Sequence, residues 1–195
     1  MCANLYIIIK ENSKLVFRQS MYIAVNFLLL VPYIYGIPNL SSERAADCLG
    51  KLVALIGIPL FVSILRPEQD SDVRDVIFIK EFPYRFSIIF RIVFATVLST
   101  VMIYCFALYM LYQRCEFPIT AYVVRTLEIS MLLGGVGLLG SVLLRNTLIG
   151  ILLSVGFAFL FCEKFAVMVF EGVHGFVVAA GILLYGVILF LCNKC

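Results

Sequence analysis

The residues able to do chemistry in this 195-residue chain are few, and their densest cluster is one stretch. That stretch, Arg66–Arg91, reads RPEQDSDVRDVIFIKEFPYRFSIIFR. Its acids Glu68, Asp70, Asp72, Asp75 and Glu81 are interleaved with the bases Arg66, Arg74, Lys80, Arg85 and Arg91. Mixed charge around a short apolar run suits recognition of a soluble partner better than bond-making chemistry, although a solvated connector has the same composition. The second grouping is Arg125 and Glu128. Three residues apart, they share one face of a helix and can pair, either lining an outer vestibule or neutralising one another near a membrane interface.

The other candidates fail for want of neighbours. His174 is the only histidine, and no His/Cys/Asp/Glu group with ligand spacing surrounds it, so no metal site is expected. The acids cluster on the expected inner loop, whereas His174 is expected outside, so no Ser-His-Asp arrangement is expected either. Seven cysteines give no disulfide framework, because an odd number cannot pair completely. Cys48 and Cys115 fall in expected outer loops, where one bridge could form, but the reading goes against it. Cys192 stands fourth from the end, yet Asn193 and Lys194 are not the aliphatic residues a prenylation box needs. The glycines at 134, 135, 137 and 140 lack the following Gly-Lys-Ser/Thr of a phosphate loop. Gly137/Ser141 and Gly150/Ser154 are instead small-x-x-x-small pairs, which let membrane helices approach closely. No catalytic, cofactor or metal site is expected in this chain.

The elements that carry these residues are strongly apolar. The chain is 63% hydrophobic and 14% charged, with a mean hydropathy of +1.08. Soluble domains run at about 45–50% and about 25%. An outer surface facing lipid accounts for the excess. The net charge of +3 forms no basic patch interleaved with exposed aromatics, so nucleic acid is not an expected partner.

Crossing roughly 30 Å of hydrocarbon takes about 20 apolar residues per helix. The sequence predicts an all-α integral membrane protein, a single transmembrane domain over 1–195 with six spans. They fall at about 21–38, 49–65, 86–112, 121–144, 147–161 and 175–192. The second and fifth are short, and the apolar stretch Phe165–Phe170 could be a re-entrant element. Before the first span, about 3–18 alternates apolar residues with Lys10, Glu11, Lys14 and Arg18, which predicts an amphipathic helix on the membrane surface. This stretch lacks the features of a secretory signal, so insertion by the first span is expected. Between spans two and three lies the loop 66–85. There Pro67 stops one helix, Ser71 or Asp72 can cap another, and Pro83 ends it, which predicts a short helix over roughly Ser71–Glu81.

Lysine and arginine are retained on the cytoplasmic side. Six spans with the N-terminus inside put Lys10, Lys14, Arg18, Arg66, Arg74, Lys80, Arg85, Arg91, Arg145 and Lys194 inside, and only Arg44, Lys51, Arg114, Arg125 and Lys164 outside. A multi-pass plasma-membrane protein with both termini cytoplasmic is therefore expected.

This layout resembles the membrane (permease) subunit of ABC-2-type ATP-binding-cassette transporters. The likeness covers the amphipathic N-terminus, the six spans and the charged loop. It is sharpest where Glu68 and Asp75-Val76-Ile77-Phe78-Ile79-Lys80-Glu81 lead into Phe82-Pro83-Tyr84-Arg85 and then Arg91. The resemblance implies that Asp72, Arg74, Asp75, Phe78, Lys80 and Glu81 form a coupling helix against a cytosolic ATP-binding-cassette ATPase. ATP and Mg would then sit on that partner, and a second permease copy or related subunit would complete the pore. The apolar, aromatic-rich interior suits export of a hydrophobic, lipid-like or peptide substrate. Two other classes stay open: a six-span substrate-capture subunit of a vitamin-type transporter, and a membrane enzyme or assembly factor.

Overall fold

In lipid every backbone polar group must find its partner inside the protein, and a helix does this within one segment. The computed structural model describes the backbone of residues 2–68, 84–170 and 174–191, and side chains within 19–65, 87–160 and 179–191. No strand occurs among the described residues. The helices are α1 (Cys2–Tyr35), α2 (42–68), α3 (Tyr84–Tyr112), α4 (Ile119–Leu144), α5 (Thr147–Phe170) and α6 (His174–Leu191). Three apolar stretches are long enough to cross a membrane: Ser42–Leu65, Ser87–Tyr112 and Ile119–Leu144. Shorter apolar segments lie within the other helices, at Gln19–Tyr35, Thr147–Leu160 and Ala179–Leu191.

Helix boundaries differ from the sequence reading at α1, at α2, which begins at Ser42 instead of about 49, and at α5. Where a surface helix over about 3–18 and a separate span from 21 are expected, α1 is continuous from Cys2 to Tyr35. The charges at Lys10, Glu11, Lys14 and Arg18 change what a helix faces, but they do not interrupt its hydrogen bonds. Likewise α5 continues past Glu163 and Lys164 to Phe170, so Phe165–Phe170 extends that helix and makes no re-entrant turn. The loop helix expected over Ser71–Glu81 lies outside the described residues, as does nearly all of the loop 66–85 apart from its two ends.

At the centre stand α2 and α4. In the most apolar part of each, 78% of α2 and 56% of α4 is buried, against 28% of α3. The outer helices α1, α3, α5 and α6 pack around this pair. The path of α2 is irregular. An α-helical start, Ser42–Asp47, widens to a π turn at Cys48–Leu52, tightens to a 3₁₀ turn at Val53–Ile56 and returns to α over Gly57–Val62. Pro59 supplies a reason for the tightening, since it has no N–H for the carbonyl of Leu55 and its ring crowds that turn.

The connections are short and specified. α1 ends on Gly36, which adopts φ 69° and donates to the Pro32 carbonyl at 3.1 Å. α3 ends with Arg114 at φ 63°, Cys115 N donating to Met110 O at 3.2 Å and Arg114 N to Leu111 O at 2.9 Å, the paired bonds of a Schellman motif. Between α4 and α5, Arg145 takes φ 49° and the Asn146 side chain caps α5 by accepting from Leu148 N at 2.9 Å.

Large apolar side chains lie on the surface as well as in the core, and several small hydroxyl residues are buried among them. Ser99, Thr126, Ser130, Ser141 and Ser154 are fully or almost fully buried, whereas Tyr33, Phe159 and Leu160 are at least 74% exposed. Water would penalise so much contiguous apolar surface; hydrocarbon does not.

Candidate functional site: a buried arginine at the root of the charged segment

Arg91 stands two turns into α3 and is 2% exposed. Its Nη1 donates to the carbonyl oxygen of Ile64 at 2.9 Å, and it makes further interactions besides. Ile64 lies in the closing 3₁₀ turn of the second helix, Ser63–Glu68, where the helix's carbonyls run out of intrahelical donors. That end of a helix carries partial negative charge, which favours a cation. A buried charge is expensive unless it is bonded, so this placement depends on the geometry being met.

A polar seam extends from the same turn. Ser63 donates to Pro59 O at 2.7 Å, one turn back along its own helix. Ser20 of α1 donates to the Ser63 oxygen at 2.6 Å. Both serines are buried. Three helices, α1, α2 and α3, therefore meet through Ser20, Ser63, Ile64 and Arg91 at the point where the chain leaves for the charged segment and returns from it. The two roots of the segment are bonded side by side.

The residues expected to contact a partner (Asp72, Arg74, Asp75, Phe78, Lys80 and Glu81) lie outside the described residues. Arg125 and Glu128 are both half-buried on α4, and both are engaged in interactions. They lie in its first half, toward the end of the bundle opposite Arg91. Near them Ser42 of α2 and Tyr122 of α4 share a hydrogen bond of 2.7 Å. His174 opens α6, and its side chain is outside the described residues. No group of His, Cys, Asp and Glu suited to a metal ion occurs among the described residues. Cys48, Cys105 and Cys115 are free thiols.

The small-residue pairs read from the sequence face one another. A Cβ placed on Gly137 would lie 2.9 Å from the Ser154 Cβ and 3.1 Å from the Gly150 carbonyl oxygen, and would collide with Val62. One on Gly150 would lie 2.5 Å from the Gly137 carbonyl oxygen and 2.8 Å from the Ser141 Cβ. Ser154 adds a bond from its hydroxyl to Leu133 O at 2.6 Å. On the α2 side, Gly57 lies against Ser130, and Gly134 admits the ring of Phe61. Tyr185 then ties α6 to α4 through its hydroxyl, 3.1 Å from Met131 O. This arrangement packs α4 closely against α2, α5 and α6.

Sequence reasoning missed the Ser20–Ser63–Arg91 cluster. Arg91 was visible as the last charge of the segment, and its isolation within Phe86–Tyr112 was the one available signal that it is buried rather than part of the loop. Single serines within apolar stretches carry no such signal. Comparison with protein-family models, with characterised proteins and with solved structures finds no match.

Proposed function

We propose that this chain is the transmembrane subunit of an ATP-driven transporter in the plasma membrane, exporting a hydrophobic, lipid-like or peptide substrate. All six helices cross the bilayer in this reading, with both termini cytoplasmic. At about 1.5 Å per residue the 24 residues of α5 reach roughly 36 Å and the 18 of α6 roughly 27 Å, which brackets a hydrocarbon core of about 30 Å. The exposed apolar surface supports the same placement.

The observation that carries the transport reading is the bond from Arg91 to Ile64. A partner pressing on the charged segment would act on two roots already joined, and so on the most buried helix of the bundle. The partner is a cytosolic ATP-binding-cassette ATPase holding ATP and Mg, with Asp72, Arg74, Asp75, Phe78, Lys80 and Glu81 as its contact. A second copy of this chain or a related subunit completes the pathway.

The test is purification in mild detergent from native membranes, with identification of co-purifying chains and an ATP-hydrolysis assay. A stoichiometric ATPase is expected, lost when Asp72, Arg74 and Asp75 are charge-reversed while membrane insertion persists. Unchanged partner binding and transport in that variant overturns the reading. A chain that purifies alone and is associated with no ATP hydrolysis overturns it in favour of a substrate-capture subunit.

A further inference from the structure

A groove of about 690 Å³ runs between α1 and α3. These two helices touch only sparsely along their length, but their C-terminal ends are tied. Asn39 N donates to Gln113 O at 3.2 Å, and the Cys115 thiol donates to Ile37 O at 3.2 Å. The groove is therefore closed at that end and open along its side. Its floor is apolar and includes Val25, Leu28, Val101 and Met102; its polar groups gather at the tied end, in Tyr33, Tyr109 and Gln113. Gln113 Nε2 donates to the Tyr109 hydroxyl at 3.3 Å.

Two magnitudes bear on the occupant. From Val25 to Ile37, and equally from Val101 to Gln113, the groove follows twelve residues of chain, nearly all helical, or about 18 Å. One leaflet of hydrocarbon is about 15 Å deep, half the core thickness. The groove lies open along its side, so an extended chain can enter it from the bilayer. Tyr33 at 88% and Tyr112 at 85% exposure mark the tied end as the aromatic belt at headgroup level. The exposed Arg114, next to Gln113, offers a cation at that level.

We propose that the α1–α3 groove is a lipid site that takes one acyl chain of a bilayer phospholipid, with the headgroup against Tyr33, Tyr109 and Gln113. The chain enters sideways from the leaflet with which the groove is continuous. The phosphate lies toward Arg114, and the glycerol oxygens meet the amide and hydroxyl donors of the rim. This rests on the membrane placement proposed above and not on transport.

Native mass spectrometry of the full chain, extracted from phosphatidylcholine vesicles into mild detergent, tests it. One phospholipid retained per chain is expected. Val25→Trp and Leu28→Trp, both in the floor, are each expected to lower that occupancy about tenfold. Val97→Trp, on the open face of α3, is expected to leave it unchanged. Two groove variants guard against one misfolding, and the helical circular dichroism of each is the check. No retained lipid in the unaltered chain, or equal retention in all three variants, overturns the proposal. So does a dimer that both groove variants convert to monomer with no change in bound lipid, because the groove would then be a protein interface. None of these results bears on whether an ATPase binds the charged segment.

Discussion

The Arg91 guanidinium bonds the carbonyl of Ile64, 27 residues earlier, across 2.9 Å. A residue that by sequence closes a loop is by structure the staple between two helices. Removing it leaves a buried carbonyl at a helix end without this donor. Arg91→Met is expected to destabilise the fold by about 1–3 kcal/mol, measured by denaturant titration in detergent micelles. Arg91→Lys keeps a donor but not the fork, and is expected to recover only part of that loss.

The Ser20–Ser63 bond gives a finer test of the same junction. Hydrogen bonds between membrane helices average about 0.6 kcal/mol in double-mutant cycles. A cycle of Ser20→Ala, Ser63→Ala and the pair is expected to return a coupling of that order. Additive single effects would show that the two hydroxyls do not act together.

The glycines are not equivalent. Gly137→Ala puts a methyl into Val62, Ser154 and the Gly150 carbonyl, with no space to receive it. A loss of about 1–3 kcal/mol is expected from overpacking. Gly156 lies in the next helix with nothing within 4 Å of the added Cβ. Gly156→Ala is expected to be neutral or to stabilise by up to about 1 kcal/mol, the helix-propensity difference. Equal effects at the two positions would contradict the packed seam.

Cys105 separates lipid exposure from water exposure. It is exposed on α3, whereas Cys48 and Cys115 are buried. In a variant retaining Cys105 as the only cysteine, a charged, water-soluble thiol reagent is expected to leave it unlabelled in intact vesicles. A lipophilic maleimide is expected to label it. Rapid labelling by the charged reagent would place this face of α3 in water.

How much of this was legible beforehand depends on the kind of signal. The small-residue pairs Gly137/Ser141 and Gly150/Ser154 stand out by spacing, and they meet because close approach needs small residues on both helices. The turn at Arg145-Asn146 was bracketed correctly, since a charged residue and a capping residue together interrupt an apolar run. Helix ends drawn from hydropathy fared worse. α1, α2 and α5 all extend beyond their apolar cores, because charge does not end a helix where neither glycine nor proline intervenes. The Schellman turn after α3 was hidden for a related reason: Arg114 occupies the left-handed position where glycine is usual. The site itself was half legible. The charged segment was evident, but its anchorage was not, because the partner of Arg91 is a backbone carbonyl that any residue at position 64 would supply.

The burial of α2 also has a consequence for synthesis. Its principal neighbour, α4, ends at Leu144, about eighty residues after Leu65. At about 5–20 residues per second, a ribosome takes roughly 4–16 s to make that difference. Through that interval the helix with the most irregular backbone in the bundle waits without the surface that will enclose it. Its π and 3₁₀ turns, and the serine at its foot, have only α1 and then α3 for company. The order in which this chain emerges therefore makes α2 the segment most dependent on temporary shelter, and the arrival of α4 the event that ends the dependence.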